Sequence, residues 1–277
     1  MNTGSHIRRF LKMQGLGNDF VIFDARSHDL TLSDEVVRHI ADRRRGVGCD
    51  QLIVMRACED ADIFMEIRNA DGSRVGACGN ATRCVGKLML DETGKDKVTI
   101  RTDAGLLTAA RTENHSDSGV SVNMGPARIA WDEIPLSDQM DTLHIDLRVG
   151  SLSDPVGVNM GNPHVVFFVD DAEAVDLKTF GPQIEHHPLF PERVNVSVAT
   201  IKDGIIRQRV WERGAGITEA CGSGACAGLV AAARRGLTGH EATVQLDGGA
   251  LEIEWLADGT VQMTGAAMLA FEGEIAL

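Results

Sequence analysis

Ala77-Cys78-Gly79-Asn80 and Ala220-Cys221-Gly222-Ser223 are one motif written twice, 143 residues apart. A second block repeats at nearly that interval: Gly17-Asn18-Asp19-Phe20-Val21-Ile22-Phe23 matches Gly161-Asn162-Pro163-His164-Val165-Val166-Phe167 at 144. Between these blocks the same shift, to within one residue, superposes Gln51 on Asn195 and Asn69 on Glu212. One short match would mean little, but several in the same order at one interval point to duplication. Two similar domains are expected, about 1–125 and 126–277, joined near Met124-Gly125-Pro126, where Gly and Pro interrupt a strand pattern.

Working outward, most local signals are short strands. Asp62 to Asn69 and Ile205 to Glu212 alternate polar and apolar positions, the second introduced by the hairpin signal Asp203-Gly204. Val98 to Thr102, Val120 to Met124, Leu143 to Val149, Val165 to Val169, Ala250 to Trp255 and Val261 to Thr264 extend the series, with Asp258-Gly259 as another turn. Three helices are expected. Ser33 caps one that runs to Arg45 and stops at Gly46, and its Arg43-Arg44-Arg45 end reads as a solvated terminus complementing the helix dipole. The other two start at the repeated cysteines and run to Gly94 and Gly236. The last is apolar nearly all round, so it must be buried, enclosed or covered by a curved sheet. The class is α+β.

Composition narrows the function. The chain has 277 residues, 43% hydrophobic and 24% charged, which excludes disorder as the main state and suits two domains of ordinary size. Its net charge of -13 repels nucleic acid. The longest apolar run, Ala225 to Ala233, falls short of a membrane span, and the N-terminus lacks a signal-peptide core, so a cytoplasmic protein is expected. Gly4-Ser5-His6 is assigned no function. Six cysteines without a Cys-x-x-Cys, and nine histidines none of which is at zinc-finger spacing from a cysteine, argue for reduced thiols and no metal. Cys49, Cys58 and Cys226 read as small buried hydrophobes.

Cys78 and Cys221 are different, because each stands where a helix begins. The first turn leaves backbone N–H groups unpaired and carries partial positive charge, which favours an anion. An ordinary thiol is about 3% ionised at pH 7; a drop of about 1.5 units there would raise that to about half. The N–H groups of Gly79, Asn80, Gly222 and Ser223 suit a carboxylate. If the duplicated domains face each other, a carbon acid held between one thiolate and one thiol can lose a proton on one face and regain one on the other. Such inversion needs no metal or organic cofactor, and no dinucleotide, nucleoside triphosphate or zinc motif competes. His164 and Glu212 are candidate tuning groups, with a structural histidine and an ion pair to Arg213 as the plainer readings. Asn18, Gln51, Asn69, Asn162 and Asn195 add neutral donors and acceptors, and Arg213 a carboxylate fork, a set suited to a zwitterionic amino acid.

These residues resemble those of the diaminopimelate epimerases, a PLP-independent family. The carriers are Met13-Gln14-Gly15-Leu16-Gly17-Asn18-Asp19-Phe20, Asn69-Ala70-Asp71-Gly72-Ser73, Ala77-Cys78-Gly79-Asn80-Ala81-Thr82-Arg83-Cys84, Gly161-Asn162-Pro163-His164, and Glu212-Arg213-Gly214-Ala215-Gly216 leading into Ala220 to Cys226. The resemblance implies two pseudosymmetric domains, each a β-barrel-like sheet around a central helix. It also implies that a last segment, about 268–277, crosses back to the first domain and leaves 126–267 for the second. It implies conversion of LL-2,6-diaminopimelate to the meso isomer in lysine and peptidoglycan precursor synthesis, and a homodimer. Cys78 and Cys221 become the acid and base, assisted by His164 and Glu212. Asn18, Gln51, Asn69, Asn162, Asn195 and Arg213 bind substrate, and Gly79, Asn80, Gly222 and Ser223 hold the carboxylate at the reacting carbon. Alternatives are a racemase of the same fold for another amino acid, a thiol hydrolase using one cysteine with His164, and a redox or ligand-binding protein with a switchable Cys78–Cys221 disulfide.

Overall fold

The computed structural model describes residues 7–112 and 119–277, so Gly4-Ser5-His6 lies outside the described residues. The chain divides into two compact units, one of Met1–Val122 with Gly265–Leu277, the other of Asn123–Thr264. The first contains β1 (Ile7–Gly15), β2 (Asn18–Asp24), α1 (Asp34–Ala41), β3 (Gln51–Arg56), β4 (Ile63–Asn69), β5 (Arg74–Val75), α2 (Gly79–Thr93), β6 (Lys97–Thr102) and β7 (Gly105–Arg111). β8 (Gly119–Pro126) leads out of it. The second contains β9 (Arg148–Val149), β10 (Leu152–Ser153), β11 (Val156–Asn159), β12 (Pro163–Phe168), α3 (Leu177–Glu185), β13 (Asn195–Lys202), β14 (Ile205–Glu212) and β15 (Gly216–Thr218). It continues with α4 (Gly222–Arg234), β16 (Glu241–Leu246), β17 (Gly249–Trp255) and β18 (Thr260–Ala266). β19 (Met268–Ala276) returns to the first unit and pairs antiparallel with β1.

The duplication is visible in the strand pairing. In the first unit β1 is antiparallel to β2, β2 parallel to β3 and β3 antiparallel to β4; β4 then takes β5 antiparallel and β6 parallel. The second unit repeats this with β11, β12, β13, β14, β15 and β16. The register repeats too: Phe20 pairs with Gln51 as His164 pairs with Asn195. Within each unit the sheet curves about one helix, α2 packing on β1, β6 and β7, and α4 on strands from β11 to β17. Strands covered on both faces are buried nearly throughout: β13, between α3 and α4, reads buried at its first five residues. β17 has one solvated face and alternates, with Leu251 and Ile253 inside and Glu252 and Glu254 out. The result is the expected α+β class.

The local expectations hold where one residue decides them. Ser33 Oγ accepts the Val36 N–H, Gly94 ends α2 at φ 67°, and Asp203 and Gly204 turn at φ 52° and 79°. Three expectations need correction. The first helix ends at Ala41, because the Asp42 carboxylate takes the N–H groups of Arg44 and Arg45 and turns the chain outward. Leu143 to Val149 is strand only at Arg148–Val149: its alternating Ile145 and Leu147 reach the core, but their backbone bonds go to turns, Ile145 N–H to Pro155 and Leu147 N–H to Ile145. Cys58 is half-buried, with its thiol 2.9 Å from Asp60 Oδ1, whereas Cys49 and Cys226 are buried as expected. A further helix, α3, is not among the three expected, and it carries Pro182 inside it. It forms because the Asp176 carboxylate caps it, and Gly181 is needed where a Cβ would come within 2.6 Å of the Trp211 ring.

Candidate active site

Both repeated cysteines are helix N-caps in extended backbone, Cys78 before α2 and Cys221 before α4. Gly79 and Gly222 are the first helical residues, which leaves the next N–H groups without an intrahelical acceptor. At Cys221 one of these is used: Gly224 N–H points at Sγ from 3.4 Å, and the Ser223 hydroxyl lies 3.6 Å from the same sulfur. At Cys78 the thiol is 3.8 Å from Asn18 Oδ1, which also accepts from Asn80 Nδ2 at 3.2 Å.

Around the buried Cys221 the second unit builds a part-buried polar cluster. Glu212, at the end of β14, is hydrogen-bonded to the Cys221 thiol and receives the Thr218 hydroxyl from β15. Burial pushes the Glu212 carboxyl up, against the pull of those two bonds. Burial also pushes the Cys221 thiol well above its ordinary value, and the Glu212 charge adds to it, while Ser223 and the Gly224 N–H act in the opposite sense. The expected depression by the helix N-terminus is therefore overturned at Cys221: removing the sulfur from water beside a carboxylate outweighs one N–H and one hydroxyl. Cys221 rests as a thiol. His164 is wholly buried, and that burial, with the nearby Arg213 charge, pushes its imidazole down to about 3, so it is neutral at physiological pH. Its Nε2 lies 2.9 Å from Asn162 Oδ1 and 3.1 Å from Ser223 Oγ, while Nδ1 is buried without a partner.

The ion-pair reading of Glu212 and Arg213 is not what forms. Arg213 gives its guanidinium to the Glu192 carbonyl at 2.9 Å and its backbone N–H to Asn195 Oδ1. Asn195 uses its other end on the Pro163 carbonyl, so its amide braces two backbone segments. In the first unit Gln51 Nε2 donates to Asn69 Oδ1 at 3.1 Å, leaving Gln51 Oε1 buried and unpartnered, and Asn69 Nδ2 donates to Ser73 Oγ. An unpartnered buried acceptor of this kind is open to a ligand N–H. Among the described residues no group of three or more His, Cys, Asp or Glu side chains is placed to hold a metal ion.

The family profile described as diaminopimelate epimerase matches residues 10–130 and 156–270. The chain belongs to that family. A relative named diaminopimelate epimerase from Rhodospirillum centenum is 57% identical over 272 residues, covering 97% of this chain and 92% of its own. One of the same name from Phenylobacterium zucineum is 54% identical over 273 residues, covering 97% and 98%. Among solved structures, a probable proline racemase from Agrobacterium radiobacter superposes with a TM-score of 0.68 at 18% identity, covering 98% of this chain and 93% of its own. A Bacillus anthracis protein of the PhzF family, involved in phenazine biosynthesis, gives 0.68 at 17%, covering 98% and 100%. At those identities the likeness is one of fold. Membership of an epimerase family makes the protein an isomerase.

Several residues around these side chains carry little signal in the sequence. Asp50 accepts the Asn18 Nδ2 at 2.9 Å, which turns Asn18 Oδ1 toward Cys78 and Asn80. Arg43 then bridges Asp50 and Asp19, so it is part of an ion network and not the solvated helix end expected of it. Burial raises the Asp19 carboxyl, but Arg43 and Lys12 outweigh it and hold the group far below the carboxylate range. Thr218, whose hydroxyl meets Glu212, likewise has only its adjacency to the cysteine motif as a signal, as Asp50 has only its adjacency to Gln51.

Proposed function

We propose that the protein converts LL-2,6-diaminopimelate to the meso isomer without PLP or metal, in the cytoplasm, supplying lysine and peptidoglycan precursor synthesis. The observation that supports it most is the state of Cys221: a buried thiol on a helix N-cap, hydrogen-bonded to Glu212, in a chain so similar to relatives bearing that name.

The chemistry requires both cysteines to reach one Cα in the substrate-bound enzyme. The Cys78 thiolate takes the Cα proton and becomes a thiol, leaving the bonding electrons in a carbanion delocalised into the substrate carboxylate. The N–H groups of Gly79, Asn80, Gly222 and Ser223 stabilise that developing charge. Cys221 then gives its proton to the opposite face, inverting the centre and becoming the thiolate. Charge on Cys221 Sγ is received by the Gly224 N–H and the Ser223 hydroxyl. Glu212, with its raised pKa, is poised to exchange the proton with that sulfur. Neutral His164 orients Ser223 and Asn162. Asn18, Gln51, Asn69, Asn162 and Arg213 read the distal amino acid end, with Asn195 holding the Arg213 backbone in place. Buried polar groups left unpaired by a shorter amino acid would reject it.

The test is incubation of reduced, metal-free enzyme with LL-diaminopimelate in D2O, with Cα deuterium followed by NMR and isomers separated by chiral chromatography. Meso product labelled at one Cα supports the reading; an equal or greater kcat/KM on another amino acid would overturn the substrate. We further propose a homodimer. Met268, Leu269 and Phe271 are exposed on β19, which supports a second copy covering that strand, and light scattering at graded concentrations tests it.

A further inference from the structure

Gln208 is wholly buried on β14, beside the equally buried Ser197 in a largely apolar interior. Its Nε2 donates to Ser197 Oγ on β13 at 3.1 Å and to the Gly224 carbonyl of α4 at 2.8 Å. Its Oε1 lies against Gly228, where an added Cβ would come within 1.9 Å of it. Gly224 is the residue whose N–H meets Cys221 Sγ. A Cβ at Gly224 would in turn lie 3.2 Å from that sulfur.

The sister unit shows what the fold needs at these places. The repeat sets Gln208 on Met65, Ser197 on Ile53, Gly224 on Ala81 and Gly228 on Val85, all buried and apolar. The strand pairing agrees, since Gln208 stands opposite Ala199 as Met65 stands opposite Met55. The barrel and its helix therefore form in the first unit without the amide. Burying an amide with one end unpartnered is unfavourable, so its presence beside Cys221 calls for a reason other than packing.

The geometry supplies that reason. Glycine has the widest backbone freedom, and Gly224 sits in the first turn, where helical bonds constrain its N–H least. Clamping its carbonyl restricts the φ and ψ that aim its N–H. Resting on the two-cysteine reading above, we propose that Gln208 is a positioning residue for Cys221, holding Gly224 so that its N–H stays on Sγ as the sulfur gains charge during turnover.

The test compares the wild type with Gln208→Met and with the double variant Ser197→Ile/Gln208→Met, which copies the pair in the first unit. Two quantities are read in each: the pH midpoint of Cys221 modification by methyl methanethiosulfonate, located by peptide mass spectrometry, and kcat with KM for epimerisation. The expected result is a folded protein whose Cys221 midpoint moves up by about half a unit or more, with kcat lowered about tenfold and KM changed less than about twofold. A midpoint and kcat equal to wild type, with only the melting temperature altered, would overturn the proposal. Failure of both variants to fold would overturn it as well, because the amide would then be a requirement of the barrel. An inactive wild type would instead defeat the epimerase reading, while the thiol midpoint would still report on Gln208.

Discussion

Replacing Glu212 by Gln should make Cys221 more acidic and the enzyme slower at once. Burial is the largest cause raising the Cys221 thiol, and the part-buried Glu212 adds to it through its charge and its hydrogen bond. Two unit charges at about 4 Å, the outer reach of a hydrogen bond to sulfur, interact by about 4 kcal/mol at an effective dielectric of about 20. That corresponds to about 3 pKa units, and screening and relaxation reduce it to about 1–3. Glutamine is isosteric and can still accept the Thr218 hydroxyl, so β15, which carries Thr218, should stay in place. The thiol titration is followed by Cys221 modification rate between pH 7 and 11 in folded protein. The midpoint should fall by about 1–3 units, while kcat drops about 100-fold because the proton-exchanging carboxylate is gone. A midpoint unchanged or higher in Glu212→Gln would refute the claim that this carboxylate sets the state of Cys221.

Four further outcomes are expected. His164 has its pKa lowered to about 3, so it contributes stability that is fully present above about pH 6.5 and is lost as pH falls toward 3. His164→Phe, copying Phe20 of the repeat, should remove that acid sensitivity, about 2 kcal/mol by pH 5 in chemical unfolding; an identical pH slope in both proteins contradicts it. Cys78→Ala and Cys221→Ala should each abolish epimerisation while circular dichroism is retained, and wild-type turnover in either would defeat the two-base scheme. Gly86→Ala would place a Cβ 2.5 Å from that of Ala109, and the overpacking should cost about 1–3 kcal/mol in urea unfolding. Phe271→Glu should convert a homodimer to monomer in light scattering; an unchanged mass would move the interface elsewhere.

Much of the secondary structure is legible because single residues or strict alternation decide it. Ile205 to Glu212 forms β14 with the bounds expected, since Asp203-Gly204 fixes the hairpin and Ile206, Gln208 and Val210 are buried in alternation. The helices after Cys78 and Cys221 start where Gly79 and Gly222 follow an extended cysteine. Local reading failed where distant groups supplied the missing partners. α3 survives Gly181-Pro182 because Trp211, on another strand, packs on the glycine. Leu143 to Val149 alternates like a strand, yet its polar backbone is satisfied by Pro155 and by its own turns.

The sequence by itself determined the duplication, the paired cysteines at helix starts and the family, because identity, order and interval are properties of the chain. Tertiary structure alone decided the chemistry of each group: that Cys221 is held as a thiol, that His164 is neutral, that Arg43 joins the Asp50 and Asp19 network behind Asn18, and that Gln208 clamps Gly224. The physical reason is that pKa and hydrogen-bond direction depend on burial and on charges a few ångströms away. For these residues most of the deciding partners are brought in by strand pairing and helix packing from elsewhere in the chain.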